Sequence, residues 1–542
     1  MRDLTKNDAP RYLKAVSLAV LGLGIQGAAL AQTAAPAGMP APAEASRPVD
    51  INEYVVRGNT VLDARAIETA VTPFLGPQKT MKDIEGARDA LLAAYQAKGY
   101  QSVYVDLPEQ QVTNGVVLLQ VSETKVGRVR VVGAQYNSPS EIREQVPALK
   151  EGEVPDFNQA QSELTALNRS PKRQVMPLVR QGQLPGTMDV DLKVDDSTPW
   201  RASVGLNNDY SPDTKPLRFN ATIGNDNLWQ LGHSLSLSFV GAPQDMSQSK
   251  VFSGSYVAPL RGSDWSLEVD AYKSDSNIAT LGGTNVLGKG HSIGLKANYT
   301  VPDTGNWWHS FGIGLDFKQS DEALSLGATA DSVPLKYAPI TLEYQGFLQT
   351  ERGQYGLDLS LVSGTRSLFG YGSNWREFDN KRYKSPGYFL ALKGDGNATY
   401  SFADDIQLFV RLAGQMTDSP LVSAEQLAGG GMNSVRGYLA VEAVGDYGAV
   451  GSVELRSPPL TFLGSNIQNW RAYVFADAAR LRLREALEEQ QDSFTLASVG
   501  LGTSFRVGER LSGRLDLGYP LKAGPRTERH DARLNFSINA SY

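Results

Sequence analysis

The sequence predicts two small α+β domains followed by a sixteen-stranded antiparallel β-barrel of the membrane-spanning kind. Three observations carry that prediction. Before Trp200 a strand-and-glycine pattern occurs twice, about 75 residues apart. After Trp200, helical periodicity gives way to period-2 alternation between clusters of Asn, Asp, Gly and Pro. The final strand puts Leu534, Phe536, Ile538, Ala540 and the terminal Tyr542 on one face. Arg533, Asn535, Ser537, Asn539 and Ser541 fall on the other.

Composition agrees. A chain of 542 residues is long for one core and implies several domains. Its 52 Lys+Arg stand against 58 Asp+Glu, a net charge of −6. A nucleic-acid binder would show a basic stripe instead. The absence of Cys removes disulfides, zinc ribbons, iron–sulfur clusters and thiol nucleophiles. Mean hydropathy is −0.28, which is compatible with a barrel that alternates apolar and polar residues.

Residues 1–31 read as a secretory signal. Arg2, Lys6, Arg11 and Lys14 give the positive start, and Ala15 to Ile25 the apolar run. Ala29-Leu30-Ala31 is the small-residue site, with cleavage expected between Ala31 and Gln32. Residues 32–50 carry six Ala and four Pro and read as a linker.

The repeat follows. Tyr54-Val55-Val56-Arg57-Gly58-Asn59 matches Val129-Arg130-Val131-Val132-Gly133-Ala134. Each copy is a strand ending at a Gly, where a positive φ is easy. In the first unit, 51–123, Asp63 to Val71 is a short helix. Thr80 caps a longer one, with Ile84, Ala87, Leu91, Ala94 and Tyr95 on one face. Gly99 stops it. Strands around Tyr100–Asp106 and Val116–Ser122 follow, with a turn at Asn114-Gly115. In the second unit, 124–197, Ser138-Pro139-Ser140-Glu141 reads as a capping box. A helix near Phe157–Asn168 and strands near Gln174–Arg180 and Thr187–Val194 complete it. Both sheets leave edges that can accept an added strand.

Gly99-Tyr100, Leu107-Pro108-Glu109-Gln110-Gln111 and Asn114-Gly115 resemble the first POTRA domain of two-partner secretion transporters. That is the TpsB family of haemolysin secretion/activation proteins, ShlB/FhaC/HecB-like. Leu167-Asn168 with Pro171, then Gly186 and the Asp189–Asp195 strand, resemble their second POTRA.

Residues 198–542 divide into sixteen strands from 201–208 to 531–541, an even number as in single-chain bacterial barrels. Trp200, Tyr210, Trp229, Trp265, Trp307, Trp308, Trp375 and Trp470 fall near the strand ends and are expected to form interfacial girdles.

The gap at 416–448 holds Gly429-Gly430-Gly431 and then Val435-Arg436-Gly437-Tyr438. No Lys, Ser/Thr and helix follow in P-loop order. The tetrapeptide is similar to the VRGY loop of the same family and of its relatives that insert barrels. The resemblance implies a loop folded into the lumen, with Arg436 latched to Asp477 of Phe475-Ala476-Asp477.

The resemblance implies a transporter in the cell outer membrane with its POTRA domains in the periplasm. There it captures an unfolded exoprotein and passes it outward. The implied partners are a TpsA-like haemolysin, adhesin or toxin, outer-membrane lipid, and the barrel-assembly machinery during biogenesis. Nucleic acid is not among them. A barrel-assembly insertase is the alternative. An enzyme is not expected: His233, His291, His309 and His530 are scattered, with no Ser/His/Asp grouping. Neither a cofactor nor a metal site is expected.

Overall fold

The computed structural model describes residues 48–542, except 169–171, 277–278, 282–283, 287, 303, 322, 327–328, 333 and 462–466. The leader 1–31, its Ala31–Gln32 cleavage point, linker residues 32–47 and Pro171 lie outside the described residues.

The first unit runs β1 (Val49–Ile51), β2 (Glu53–Arg57), α1 (Ala64–Val71), β3 (Gly76–Lys79), α2 (Met81–Ala97), β4 (Val103–Asp106) and β5 (Val116–Glu123). It starts two residues before the point read from the sequence, because Val49 pairs with Lys79. Asp63 Oδ1 caps α1 by accepting from Ala66 N at 2.7 Å. On α2, Ile84, Ala87, Leu91 and Tyr95 are buried, the helical spacing of one face. They cover a sheet ordered β2-β5-β4.

The second unit repeats the plan with β6 (Lys125–Val132), α3 (Pro139–Glu144), α4 (Phe157–Leu167), β7 (Arg173–Gln181) and β8 (Thr187–Asp196). Its sheet order is β6-β8-β7, with the parallel pair β6/β8 matching β2/β5. The glycines ending β2 and β6 both adopt positive φ, +88° at Gly58 and +90° at Gly133. The expected capping box at Ser138 is not formed. Ser138 Oγ pairs with Ser140 Oγ, and the Glu141 carboxylate reaches Arg261 across the interface to the barrel. A tertiary partner has taken the acid that a local cap would have used.

Sixteen antiparallel strands then close on themselves. They are β9 (Trp200–Asn207), β10 (Arg218–Leu228), β11 (His233–Gly241), β12 (Lys250–Pro259), β13 (Trp265–Ser274), β14 (Gly290–Thr300), β15 (Trp307–Ser320) and β16 (Ile340–Gln349), then β17 (Gly353–Gly364), β18 (Phe389–Ser401), β19 (Gln407–Thr417), β20 (Tyr447–Arg456), β21 (Ile467–Arg482), β22 (Ser493–Val507), β23 (Leu511–Pro520) and β24 (Arg533–Ser541). β24 pairs with β9 to complete the ring. A short segment, Leu335–Tyr337, extends the ladder beyond β16 by pairing with the end of β15.

No described helix is long and apolar enough to cross a membrane. Strands cross instead, because closure pairs the backbone groups that lipid cannot satisfy. Leu237, Phe252, Leu267, Ile293 and Leu295 project from the outer face, each about half exposed. Such an apolar belt fits lipid contact.

The aromatic girdles differ from expectation. Trp200, Trp229, Trp265, Trp307, Trp308 and Trp470 all lie at the strand ends nearest the α+β units. Trp375 sits on a helix, α5 (Trp375–Lys381), inside the loop at the opposite end. Tyr210 lies under the guanidinium of Arg533, 4.3 Å from its ring centroid. Six of the seven tryptophans therefore mark one rim. Proximity to a strand end in sequence does not say which end it is.

Candidate functional site

The segment between β19 and β20 does not project into solvent. It folds back into the lumen and buries Val435, Arg436 and Tyr438, and Arg436 is the largest fully buried side chain of the described residues.

Strand β21 prepares the receiving wall. Alternation puts Tyr473, Phe475 and Asp477 inward at 3–5 % exposure, while Val474 between them is 58 % exposed on the outer face. The guanidinium lies over the Phe475 ring, 3.6 Å from its centroid, a cation–π geometry. Its Nε and Nη2 donate to the two Asp477 oxygens at 2.7 and 2.6 Å. This is a bidentate fork, strengthened by charge. The Arg436 backbone N–H adds a third bond to Asp477, at 3.0 Å.

Asp477 is one of several acids here. Arg436 Nη1 donates to Glu454 at 2.5 Å and lies 3.6 Å from Asp516. Ser452, directly opposite Asp477 in the β20–β21 register, donates to that carboxylate at 2.7 Å. Arg456 pairs with Glu454, and Arg514 with Asp516. Three guanidiniums (Arg436, Arg456, Arg514) thus meet three carboxylates (Glu454, Asp477, Asp516), and the cluster is neutral. Burial works against the charge on Arg436. Asp477, Glu454 and Asp516 outweigh that and push its pKa above the ordinary arginine value.

Gly437 and Tyr438 complete the seat. Gly437 has φ +91°, and the Cβ of any larger residue at Gly518 on β23 would come within 2.5 Å of the Gly437 nitrogen. The loop crosses that strand backbone against backbone, which only glycines allow. The Tyr438 ring packs with Val435, Ala443, Val450, Ala479, Leu481 and Leu496. Its hydroxyl lies 2.7 Å from the Lys522 carbonyl and accepts from Ala497 N at 3.2 Å.

All six residues singled out in the sequence (Val435, Arg436, Gly437, Tyr438, Phe475, Asp477) therefore meet at one place. Sequence reasoning missed Ser452, Glu454, Arg514 and Asp516. Each is an inward polar residue of an alternating strand, and only the inter-strand register shows that they converge. A weak signal existed in Gly500 and Gly502 on β22, where a Cβ would strike the rings of Phe475 and Tyr473 at 2.3 and 2.4 Å.

The histidines are not brought together. His233 bonds the Tyr256 hydroxyl, His309 stacks on Trp307, and His530 on Tyr519. Among the described residues no three His, Asp or Glu side chains are grouped to hold a metal ion. Beside the loop the lumen retains a polar cavity of about 930 Å³.

A closed sixteen-strand barrel with α+β units at one mouth and a loop fastened in its lumen is the architecture of an outer-membrane translocation pore. Comparison with known proteins gives the particular kind. The family described as haemolysin secretion/activation protein ShlB/FhaC/HecB matches residues 186–505, and the ShlB-type POTRA domain matches residues 49–124. The chain belongs to this family. It is 22 % identical over 485 residues to the outer membrane transporter CdiB of Dickeya dadantii strain 3937, covering 87 % of this chain and 82 % of that one. An Escherichia coli CdiB is 23 % identical over 407 residues, 72 % of this chain and 65 % of that protein. The solved structure of CdiB from Escherichia coli has a similar fold, with TM-score 0.62, 18 % identity and 93 % of both chains covered. BamA from Haemophilus ducreyi lacking POTRA domains 1–3 shares the fold at TM-score 0.53 and 15 % identity, over 92 % of this chain and all of that one. The protein is thus an outer-membrane two-partner secretion transporter, with periplasmic POTRA structure and a partner exoprotein as its cargo.

Proposed function

We propose that the loop 416–448 is the gate of this transporter and that Arg436, on Phe475 and Asp477, is its latch. The observation that carries this is a fully buried guanidinium held against the lumen wall by a carboxylate fork at 2.6 and 2.7 Å. Removing one partner of such a buried ion pair costs about 3–5 kcal/mol, against about 0–1 kcal/mol for an exposed pair. The latch is therefore strong enough to hold one loop in place, yet small beside a closed ladder of sixteen strands. A chain crossing the barrel must displace the loop, so latch opening and cargo entry are linked.

Residues 49–123 and 124–197 serve as two successive POTRA domains, and 198–542 as the pore. Their open sheet edges pair with the extended cargo before it enters the lumen. A haemolysin, an adhesin or a contact-dependent toxin is the class of cargo. Folding of that cargo outside the cell drives the passage. The precursor leaves the cytoplasm through the leader 1–31, cleaved between Ala31 and Gln32, with 32–48 as the linker. Lipid surrounds the barrel after the assembly machinery has inserted it.

The test deletes residues 51–123. Heat-modifiable migration on a gel reports barrel assembly, and cargo in the medium reports export. Assembly is expected to persist and export to stop. Undiminished cargo in the medium after the deletion overturns the capture role.

A further inference from the structure

The latch at Arg436 fastens the tip of the loop to the wall made by β20–β23. The root of the loop carries a second buried ionic site on a different wall, with the charges reversed. Glu425 is 2 % exposed. Its Oε1 accepts from Lys318 Nζ at 2.8 Å and from the Tyr337 hydroxyl at 2.9 Å. Its Oε2 accepts from Lys393 Nζ at 3.1 Å. Lys318 lies on β15 opposite Tyr337, and Lys393 lies on β18 opposite Gln415 of β19. Gln415 donates to the Glu425 carbonyl at 3.0 Å and to the Asp446 carbonyl at 2.9 Å. It thereby ties together the two arms of the loop.

The partners of Glu425 are thus two cross-strand pairs, separated around the ring by β16 and β17. A single carboxylate bridges that gap as a chord through the lumen. Without it, two ammonium groups would face a confined space with no counter-charge supplied by the loop, which is costly.

We infer that Glu425 is a second anchor of the pore loop, a positioning residue that holds the loop root across β15 and β18 independently of the Arg436 latch. The loop is consequently held at two separate stretches of the wall by opposite charges. Release of the tip alone leaves the root fastened to β15 and β18, and full opening requires both sites to part. This inference rests on the reading of the loop as the gate.

The test uses the full-length chain purified in detergent and inserted in planar bilayers, with single-channel conductance as the readout. The variants are Glu425→Gln, Arg436→Ala and the double substitution. Glu425→Gln is expected to raise the frequency of large-conductance openings by about tenfold, a typical size for coupling between a site and a conformational state. Because the two sites share no residues, the logarithms of the two effects should add in the double variant. A residue with only a structural role would lower the temperature of the heat-modifiable shift and leave the openings unchanged.

If Arg436→Ala opens the pore and Glu425→Gln does not, the second anchor is wrong and the gate stands. Should neither open it, the gate reading itself fails. Were Glu425→Gln unable to assemble, the triple variant Glu425→Gln with Lys318→Gln and Lys393→Gln removes the whole charge cluster. More frequent openings in that variant support the anchor, and wild-type behaviour overturns it.

Discussion

The α+β units and the barrel lumen bury side chains for different purposes. In the units the largest buried residues are Tyr95, Ile51, Leu91, Leu119, Ile142, Leu167 and Leu192, and they sit in apolar clusters beneath helices. In the lumen the largest is an arginine. The cause is the backbone. A three-stranded sheet has open edges and one face to cover, so its stability depends on apolar area removed from water. A closed barrel has already paired its backbone around the ring. Its interior is free to hold charge, and burial there gives position rather than stability.

The sharpest way to break this contrast is a cavity in a unit. Leu91→Ala removes a side chain with no exposed surface from α2 and should cost about 2–5 kcal/mol. A domain of some seventy residues has little more than that to lose. The first unit should become protease-sensitive in the intact protein while the barrel keeps its heat-modifiable shift. Unchanged protease resistance would mean that something other than the apolar core holds the unit.

Next in size comes the latch, and here the six-membered charge cluster gives an asymmetry. Arg436→Ala leaves three carboxylates facing two guanidiniums, at a local cost of about 3–5 kcal/mol. Asp477→Ala leaves Arg436 still paired with Glu454 at 2.5 Å, so it should be milder. The double variant should be no worse than Arg436→Ala alone, because the shared contact is already gone. The measure is secreted cargo per assembled barrel across the four proteins. Strictly additive losses would show that the two residues act independently.

These cases also show what the sequence could reveal. Helical spacing on α2 named Ile84, Ala87, Leu91 and Tyr95 because one helix face is a local property. Val435 to Tyr438 and Phe475-x-Asp477 were legible only through their resemblance to the family's short motifs. Glu454, Asp516, Lys318 and Lys393 were not. An inward acid or lysine on an alternating strand looks like any lumen residue until the register brings distant strands together. Glu141 failed in the same way, since the local capping pattern was complete and a partner 120 residues away took the acid.

A smaller effect tests the lumen charges by pH. Burial alone would raise the Glu425 carboxyl, but Lys318 and Lys393 outweigh it and hold the pKa at about 2, below the ordinary 4.5. Because its pKa is lowered in the folded loop, Glu425 gives its full hold above about pH 4.5 and loses it as pH falls toward 2. The groups around it are Lys318 and Asp316 of β15, Lys393 of β18 and Tyr337. Closed-state conductance in bilayers should therefore stay flat from about pH 8 to about pH 5. A rise in openings between about pH 7 and 5 would show that the root is not held by a permanently ionised carboxylate.

The smallest expected effect lies where the two regions meet. Glu141 of α3 pairs with Arg261 in the turn between β12 and β13, but their side chains are 29 % and 51 % exposed. An ion pair so open to water is worth about 0–1 kcal/mol, and salt at about 0.15 M screens it further. The second unit has other ties to the barrel. Gln230 Oε1 accepts from Ser138 N at 2.9 Å, Gln230 Nε2 donates to the Tyr136 carbonyl at 3.2 Å, and Asn227 Nδ2 donates to Asn137 Oδ1 at 3.1 Å. Arg261→Ala should therefore leave the unit docked, whereas Gln230→Ala removes two bonds and should loosen it. A spin-label distance from the second unit to the barrel rim reads both. A broadened distribution for Gln230→Ala and an unchanged one for Arg261→Ala would show that the hydrogen bonds of Gln230 hold the unit more than the Arg261 pair does. If Arg261→Ala alone released the unit at physiological salt, charge would be positioning both the loop and the domain, and the contrast between the two regions would end at the rim.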